Sequence, residues 1–204
     1  MKDIPIFTAT NGMASLILQE IPYRREAFVQ VRAVFTRLDA LLQECAAFCR
    51  MAGAERVFAT GSADFSAYRL HARLMEREIS ADRLPSVEAK AIPTEDGEWL
   101  SCYRDAFRHV PAARTLKQME HCYWIEEKGE RIGLGQIIEG ELRAVASLQK
   151  GAGVRCVCAL AAVSTAPTIR LLCAMENEPA MSLYDRLGFS HGVIKEIWHQ
   201  IYPE

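Results

Sequence analysis

The segment that most constrains the fold lies near the end of the chain, where an apolar run is followed by the signals of a short helix. Residues 168–175 are mostly aliphatic and have the length of a buried strand. Asn177 is a good helix N-cap, Pro179 suits the first helical turn, and Gly188 can adopt the left-handed conformation that ends a helix. The segment therefore predicts a strand that leads directly into a helix.

The first part of the chain predicts a β-hairpin followed by a mixed α/β arrangement. Residues 6–10 and 14–21 form strand-like runs around Asn11-Gly12, which is a strong hairpin-turn signal. The other predicted elements are a strand over 27–34, a helix over 39–51 that ends at Gly53, a strand over 55–60, and a segment over 68–79 in which helix and strand signals compete.

A second series of elements follows Leu84-Pro85. We expect a strand over 86–92 and then a helix that starts within 94–98, with Thr94 as its cap, and continues over 99–109. The later elements are a helix over 112–120, strands over 122–126, 132–138 and 141–147, a helix over 151–163, the strand and helix described above, and a last strand over 192–202. The sequence thus predicts an N-terminal α/β lobe over residues 1–84 and a second domain over residues 85–204.

Composition argues against several classes of partner. The 204 residues are 50% hydrophobic and 25% charged, with a formal net charge of −2, so the chain has no overall field that would attract nucleic acid or an anionic membrane. No apolar run approaches the roughly 20 residues of a membrane span. Residues 1–4 lack the apolar core of a signal peptide. We therefore expect a cytoplasmic protein that binds neither nucleic acid nor membrane.

The cysteines favour a structural interpretation over a metal site. There are seven, an odd number, and several lie within apolar patterns. Cys45 and Cys49, like Cys156 and Cys158, have no further Cys or His at the spacing of a zinc site. We expect buried thiols and no metal.

The strand and helix near the C-terminus resemble the last third of the GNAT superfamily, the acyl-CoA-dependent N-acyltransferases. In that family an Asn closing a central strand precedes a helix with the pattern A-x-x-L-Y-x-x-x-G-F, which residues 180–189 match throughout. The element order over residues 86–202 is also similar. The resemblance implies an α+β (mixed α/β) fold with a central, mostly antiparallel sheet flanked by helices. Residues 1–84 resemble a degenerate GNAT-like lobe, and an unrelated α+β extension is the alternative.

The resemblance also implies a site for acetyl-CoA as cosubstrate. The family signature Gln/Arg-x-x-Gly-x-Gly/Ala falls on residues 148–153, where both glycines match and Leu148 replaces the Gln or Arg. Such a turn offers main-chain N–H groups to a pyrophosphate, although a plain strand-to-helix turn also uses glycine. The residues assigned to the cofactor by the resemblance are Val145, Ala146, Gln149, Lys150, Gly151, Ala152, Gly153, Val154, Asn177 and Tyr184.

The same resemblance assigns catalytic roles. Tyr184 falls on the family's general acid, which protonates the departing thiolate, and the N–H of Val145 or Ala146 would hold the oxyanion. Glu141 is the first candidate for the general base. Glu126 and His121 are the next candidates.

These assignments predict an N-acetyltransferase that moves an acetyl group from acetyl-CoA to a primary amine of a small molecule or peptide by direct attack. The alternative from another class is a non-catalytic GNAT-fold module that binds acyl-CoA or another ligand for sensing or scaffolding, which Leu148 favours. A transferase with a different acyl donor or a CoA-independent substrate is a third interpretation. The acceptor stays unidentified, and both a monomer and a homodimer are compatible with the sequence.

Overall fold

A computed structural model describes residues 6–110 and 120–203, and these form two compact units. Unit 1 comprises Met1–Arg73 with Glu196–Glu204, and unit 2 comprises Leu74–Lys195. The division therefore falls between residues 73 and 74 rather than after residue 84, and the last residues return to unit 1. Both division points lie inside or at the end of strands, where no Gly- or Pro-rich linker marks a boundary in the sequence.

The described residues of unit 1 form five neighbouring strands and two α-helices. Its elements are β1 (Ile6–Ala9), β2 (Gly12–Ile17), α1 (Ile21–Arg24), β3 (Glu26–Val34), α2 (Leu38–Met51), β4 (Arg56–Thr60), the start of β5 (Arg69–Ser80) and most of β11 (Ile194–Tyr202). The strand order is β1-β2-β3-β4-β11, in which only β3 and β4 are parallel. The hairpin, the third strand, the helix and the strand after it are confirmed, and the ambiguous segment over 68–79 is a strand.

The core of unit 1 follows from the amphipathic pattern of α2. Leu41, Leu42, Cys45 and Cys49 recur at helical spacing and are fully or almost fully buried against the sheet. Both cysteines are free thiols. The α2 stripe therefore covers one face of this sheet.

Among the residues that the structure describes, unit 2 contains a six-stranded sheet, three α-helices and a short 3-10 helix at Ala81–Arg83. Its further elements are β6 (Lys90–Thr94), α3 (Gly97–Phe107), β7 (Cys122–Glu127), β8 (Glu130–Ile138), β9 (Glu141–Ser147), α4 (Gly153–Ala161), β10 (Thr168–Ala174) and α5 (Glu178–Leu187). The order is β5-β10-β9-β8-β7-β6, and only β9 and β10 are parallel. The fold is thus mixed α/β with mostly antiparallel strands, as predicted.

Several boundaries differ from the prediction. The last strand, which we expected in the second domain, lies mostly in unit 1. The strand beside β10 is β5, paired from Thr168↔Ser80 to Ala174↔Leu74. The strand predicted over 86–92 begins only at Lys90. The helix predicted over 112–120 falls almost entirely on residues 111–119, outside the described ranges.

The cap of α3 is Asp96 and not Thr94. An Asp96 carboxylate oxygen accepts the Trp99 main-chain N–H at 2.6 Å, and the other accepts the Thr94 hydroxyl at 3.0 Å. The carboxylate occupies the N-cap position and can accept several hydrogen bonds at once, so Thr94 supports the cap without forming it.

Two helix layers cover the sheet of unit 2. The buried residues of α4 and α5 form one cluster with β8, β9 and β10, and Trp99 and Tyr103 of α3 form another with β7, β8 and β9. The helical spacing of Trp99, Tyr103 and Phe107 is typical of a core-facing helix, and all three pack into this second cluster. No helix in the described ranges is both long enough and apolar enough to cross a membrane.

Candidate functional site

A β-bulge interrupts β9 near its start. Gln136 pairs with Ala144 and Ile137 with Leu142, so Arg143 is an extra residue that has no partner position on β8. Such a bulge bends its strand and increases the local twist. The sequence carries no glycine or proline at this point that would have indicated the bulge.

The neighbouring strands β9 and β10 separate immediately after the bulge. Their parallel pairing is confined to Arg170↔Glu141 and Leu171↔Leu142, although each strand has seven residues. The second half of β9 therefore leaves β10 and carries main-chain groups that do not pair with it. This divergence opens a gap in the middle of the sheet of unit 2.

The gap contains a cavity of about 90 Å³, which we call the cleft. Its walls are formed by β9 and β10, by Leu74 in the middle of β5, by the end of α3 with Val110 after it, and by α5 with its cap residue Asn177. The lining residues are Leu74, Tyr103, Phe107, Val110, Leu142, Arg143, Ala144, Val145, Leu171, Leu172, Cys173, Ala174, Asn177, Ala180 and Tyr184. Three of the predicted site residues, Val145, Asn177 and Tyr184, are thus brought to one cavity.

The strand alternation of β9 distinguishes the two predicted oxyanion donors. The N–H of Leu148 donates to the carbonyl of Ile132 on β8 at 2.9 Å. Because main-chain groups alternate in direction along an antiparallel strand, the N–H of Ala146 also points to β8 and that of Val145 points to the β10 side. Val145 lines the cleft and Ala146 does not.

The turn between β9 and α4 has the geometry of an anion site. Gly151 has φ +81°, the left-handed conformation that favours glycine, and a Cβ at this position would meet no atom within 4 Å. The Ala152 N–H donates to the Gln149 carbonyl at 3.2 Å and closes the turn. The first N–H groups of α4 have no carbonyl of a preceding helical turn to bond, so they can donate hydrogen bonds to an anion.

This turn lies beside α5. A Cβ on Gly153 would come within 3.1 Å of the Leu183 side chain. Leu183 directly precedes Tyr184, so the start of α4 and the helix that carries the predicted acid are neighbours.

The side chains of the turn are engaged locally or exposed. Gln149 donates to Glu130 at 3.3 Å, and Arg155 forms an ion pair with Glu127 at 2.5 Å. Lys150 is exposed, and Leu148 is 45% exposed. Any anion at this turn would be held mainly by the main chain, and the charge of Arg155 is already partly compensated.

Tyr184 is buried against Phe189, with ring centroids 5.4 Å apart in an edge arrangement, and it contributes to the cleft wall. Burial raises the pKa of its hydroxyl well above the ordinary value, the Cys173 thiol contributes in the same direction, and Arg77 opposes both. The phenol therefore keeps its proton at neutral pH, which a general acid requires.

Asn177 has the cap role that the sequence predicted. Its side-chain oxygen accepts the Ala180 N–H at 3.3 Å, and Gly188 ends α5 with φ +82°. Asn177 also lines the cleft, so the cap of α5 and Tyr184 border the same cavity.

The candidate bases lie elsewhere. Glu141 is at the paired end of β9, outside the cleft lining, and its carboxylate is 3.3 Å from the Arg143 guanidinium. Glu126 is 3.9 Å from Arg131, and His121 is exposed in a turn with φ +55°. Neither lines the cleft, and the lining residues in the described ranges include no Asp or Glu.

The cleft lining also includes residues that the sequence did not single out as site residues, among them two aromatic residues and a cysteine. Tyr103 and Phe107 reach the cleft from α3, although their spacing indicated only a core role. Cys173 lines the cleft from β10 and has a pKa raised by burial to about 11. No local pattern marks a core residue that also borders a cavity, because the cavity depends on the strand divergence.

Comparison with known proteins provides a likeness of fold. No family model and no curated protein matches the sequence. A conserved protein of unknown function from Staphylococcus epidermidis ATCC 12228 matches with TM-score 0.61 at 11% identity, covering 97% of this chain and 93% of its own. A GCN5-related N-acetyltransferase from Sphaerobacter thermophilus matches with TM-score 0.52 at 17% identity, covering 93% and 76%. Another, from Kribbella flavida, matches with TM-score 0.53 at 12% identity, covering 98% and 89%.

The chain has the GNAT fold. The GNAT fold agrees with the element order of unit 2, in which β9 and β10 diverge and α5 carries Tyr184. At identities this low the likeness concerns the fold, and the chemistry has to be argued from the site itself.

Proposed function

We propose that unit 2 is an acetyl-CoA-dependent N-acetyltransferase that acts on a primary amine of a small molecule or peptide. The observation that carries the proposal is the divergence of β9 from β10, which directs the Val145 N–H into a cavity that Tyr184 also lines. A donor for the oxyanion and a protonated acid are the two groups that thioester aminolysis needs most.

The proposed reaction is a direct transfer. The neutral amine attacks the thioester carbonyl carbon, a C–N bond forms, and the Val145 N–H stabilises the oxyanion. Collapse of the tetrahedral adduct breaks the C–S bond, and Tyr184 gives its proton to the CoA sulfur. The amine proton leaves through water, because the described cleft lining contains no carboxylate. Proton return to Tyr184 from solvent completes the cycle.

The pyrophosphate of acetyl-CoA would bind the turn at Gly151 and the first amides of α4. The helix dipole and the unpaired N–H groups both favour negative charge there. Gln149, Lys150, Ala152, Gly153 and Val154 belong to this binding segment. Asn177 would serve chiefly as the cap of α5.

A non-catalytic acyl-CoA-binding module is the second candidate. Leu148, 45% exposed where the family has Gln or Arg, favours it because one polar contact to the phosphates is replaced by an apolar side chain. Such a module would bind acetyl-CoA, but it would not convert it to free CoA when amines are present.

Calorimetric titration with acetyl-CoA and with free CoA tests the binding step. We expect the unmodified protein to bind both and Gly151→Val to bind neither, because valine strains a backbone at φ +81° and covers the amides. Gly129→Val is the matched control, because Gly129 has φ +82° and equally open surroundings in the turn between β7 and β8. It should bind as the unmodified protein does.

A thiol assay of CoA release with a panel of primary amines then separates the two candidates. Release that depends on an amine supports the transferase. Binding without release for any amine favours the module. A folded protein that binds neither acetyl-CoA nor CoA contradicts both candidates.

A further inference from the structure

Arg77 is a fully buried arginine in unit 2. It lies on β5, and its side chain is 0% exposed. Arginine is almost never fully buried unless its guanidinium is paired. A buried guanidinium therefore calls for a set of partners that justifies its desolvation.

Those partners all belong to α5 or to the residues that follow it. Nη2 donates to the Asp185 carboxylate at 2.6 Å and to the Phe189 carbonyl at 2.9 Å. Nε donates to the Ser190 carbonyl at 2.8 Å, and Nη1 donates to the Met181 carbonyl at 3.3 Å. The planar fork of arginine reaches these four acceptors from one strand, which a lysine could not do.

The contacts surround the turn that carries Tyr184. Met181 and Asp185 are four residues apart, so they lie on one face of α5, and Tyr184 lies within the same turn. A cation near the last carbonyls of a helix is also favoured by the helix dipole. The guanidinium thus holds both the last turns of α5 and the chain that leaves it.

We propose that Arg77 is a positioning residue for Tyr184, which it holds in the cleft by fastening α5 to β5. This inference rests on the proposed function for the identity of Tyr184 as the acid. It assigns the placement of that acid to a strand residue that is distant in sequence and does not line the cleft.

A consequence for the chemistry follows from the charge of Arg77. Its guanidinium opposes the burial that raises the pKa of Tyr184. Arg77 therefore has a second effect besides positioning. It keeps the pKa of Tyr184 below the value that burial alone would give, so the phenol loses its proton more readily.

The test compares Arg77→Met with Lys195→Met by NMR of protein labelled with ¹³C-tyrosine. Lys195 also pairs with a β5 residue, Glu76, at 3.0 Å, so its loss removes a cation beside the same strand without touching α5. The Tyr184 ring signal is identified from its absence in Tyr184→Phe. We expect Arg77→Met to shift or broaden that signal and Lys195→Met to leave it unchanged.

A folded Arg77→Met protein with an unchanged Tyr184 signal would overturn the inference. If Arg77→Met does not fold, Asp185→Asn replaces it, because this variant weakens one of the four contacts and keeps three. It should shift the Tyr184 signal less than a full loss would, but more than Lys195→Met does. An effect no larger than that of Lys195→Met would count against the positioning role.

Acetyl-CoA titration of the same variants distinguishes a failure of the positioning role from a failure of the proposed function. If the enzyme is active, Arg77→Met should lower kcat at least tenfold and leave the KM for acetyl-CoA within about twofold, since the phosphate turn is untouched. A shifted Tyr184 signal in a protein that binds no acetyl-CoA would support the positioning role while the proposed function fails.

Discussion

The role proposed for Tyr184 depends on the state of a single buried hydroxyl group. Its ring is packed against Phe189, yet the residue borders the cleft. Burial disfavours the phenolate, so the pKa is raised and the proton is retained. A retained proton beside a nascent thiolate is what the departure of CoA demands.

We expect Tyr184→Phe to lower kcat by about 10²- to 10⁴-fold, the usual contribution of a general acid, with little change in acetyl-CoA affinity. Phenylalanine keeps the ring contact with Phe189, so folding should be preserved. The rate of CoA release with the best amine of the panel measures the effect, with Tyr123→Phe on β7 as control. An unchanged kcat in the folded variant would remove Tyr184 from the mechanism.

The bulged strand β9 determines the site at the scale of a secondary-structure element. Beyond Leu142 the strand keeps its ladder with β8 but leaves β10. Alternate amides of one strand therefore have different surroundings, those of Ala144 and Ala146 inside the ladder and that of Val145 toward the cleft.

Hydrogen exchange should report this difference. We expect the Val145 amide to exchange much faster than those of Ala144 and Ala146 in the free protein, because only the ladder amides are protected. Saturating acetyl-CoA should slow the exchange of Val145 and leave the other two unchanged. Two-dimensional NMR after transfer to D₂O measures all three. Strong protection of Val145 without ligand would contradict the splayed geometry.

Helix α2 makes the stability of unit 1 sensitive to alkali. Burial raises the pKa of both Cys45 and Cys49 to about 12, from a reference value of 9.0. As the pH rises above that reference, the unfolded chain loses thiol protons that the folded unit retains. The free energy of unfolding must then fall with pH, by up to about 1.4 kcal/mol per pH unit for each thiol.

The slope of the unfolding free energy against pH counts the protons that the folded and unfolded states hold differently. Cys49→Ala should reduce this slope by the equivalent of up to one proton between about pH 9 and about pH 11. Urea unfolding under reducing conditions at several pH values gives the slope. Val57→Ala is the control, because it truncates a fully buried side chain of the same unit without removing a thiol and should lower the stability alike at each pH. An identical slope in Cys49→Ala and the unmodified protein would refute the linkage.

The elements that could be predicted from the sequence are those with strong local signals. Asn11-Gly12 marked the first hairpin, and residues 177–188 marked α5 with its cap and its end. The signals failed where distant contacts decide. The strand β5 was ambiguous because Arg77 interrupts its apolar pattern, and the buried state of that arginine depends on residues more than a hundred positions away.

The candidate site was predictable in part for the same reason. The family resemblance assigned Tyr184 and left the oxyanion donor open between Val145 and Ala146. The structure brings Tyr184 and Val145 to the cleft lining, which does not include Ala146. Glu141 opens β9, and the structure places it before the bulge, at the paired end of β9 and β10 and outside the cleft lining. Its role as a general base stays a prediction. A bulge arises from the pairing of two strands, which no single stretch of sequence encodes.

At the scale of the whole molecule, the two units share an internal arrangement. In each, three successive antiparallel strands are followed by a helix and then by a strand parallel to the third. We propose on this basis that unit 1 is a degenerate GNAT-like lobe. Its parallel pair is closed, because β3 and β4 are matched at five successive positions, from Glu26↔Arg56 to Gln30↔Thr60.

Because the parallel strand pair is open in unit 2 and closed in unit 1, we predict that each chain binds one acetyl-CoA. In unit 1 the residues between β3 and α2, Phe35-Thr36-Arg37, include no glycine, and buried Glu26 pairs with Arg56 at 2.6 Å across the closed strands. Calorimetric titration should therefore give a stoichiometry of one, and Gly151→Val should abolish all of the heat. A stoichiometry of two, or residual binding in that variant, would require a site in unit 1.

The return of β11 to unit 1 has a consequence for how the protein is made. Strand β11 pairs with β4 through residues that include His199 and Gln200. These residues leave the ribosome after all of unit 2. An exposed strand edge readily joins other chains until it is covered. Unit 1 begins to be synthesised before unit 2 but receives its last strand only after unit 2 is complete. In a nascent chain stalled before residue 196, the edge of β4 would be unpaired and open to chaperones and to other nascent chains on the polysome.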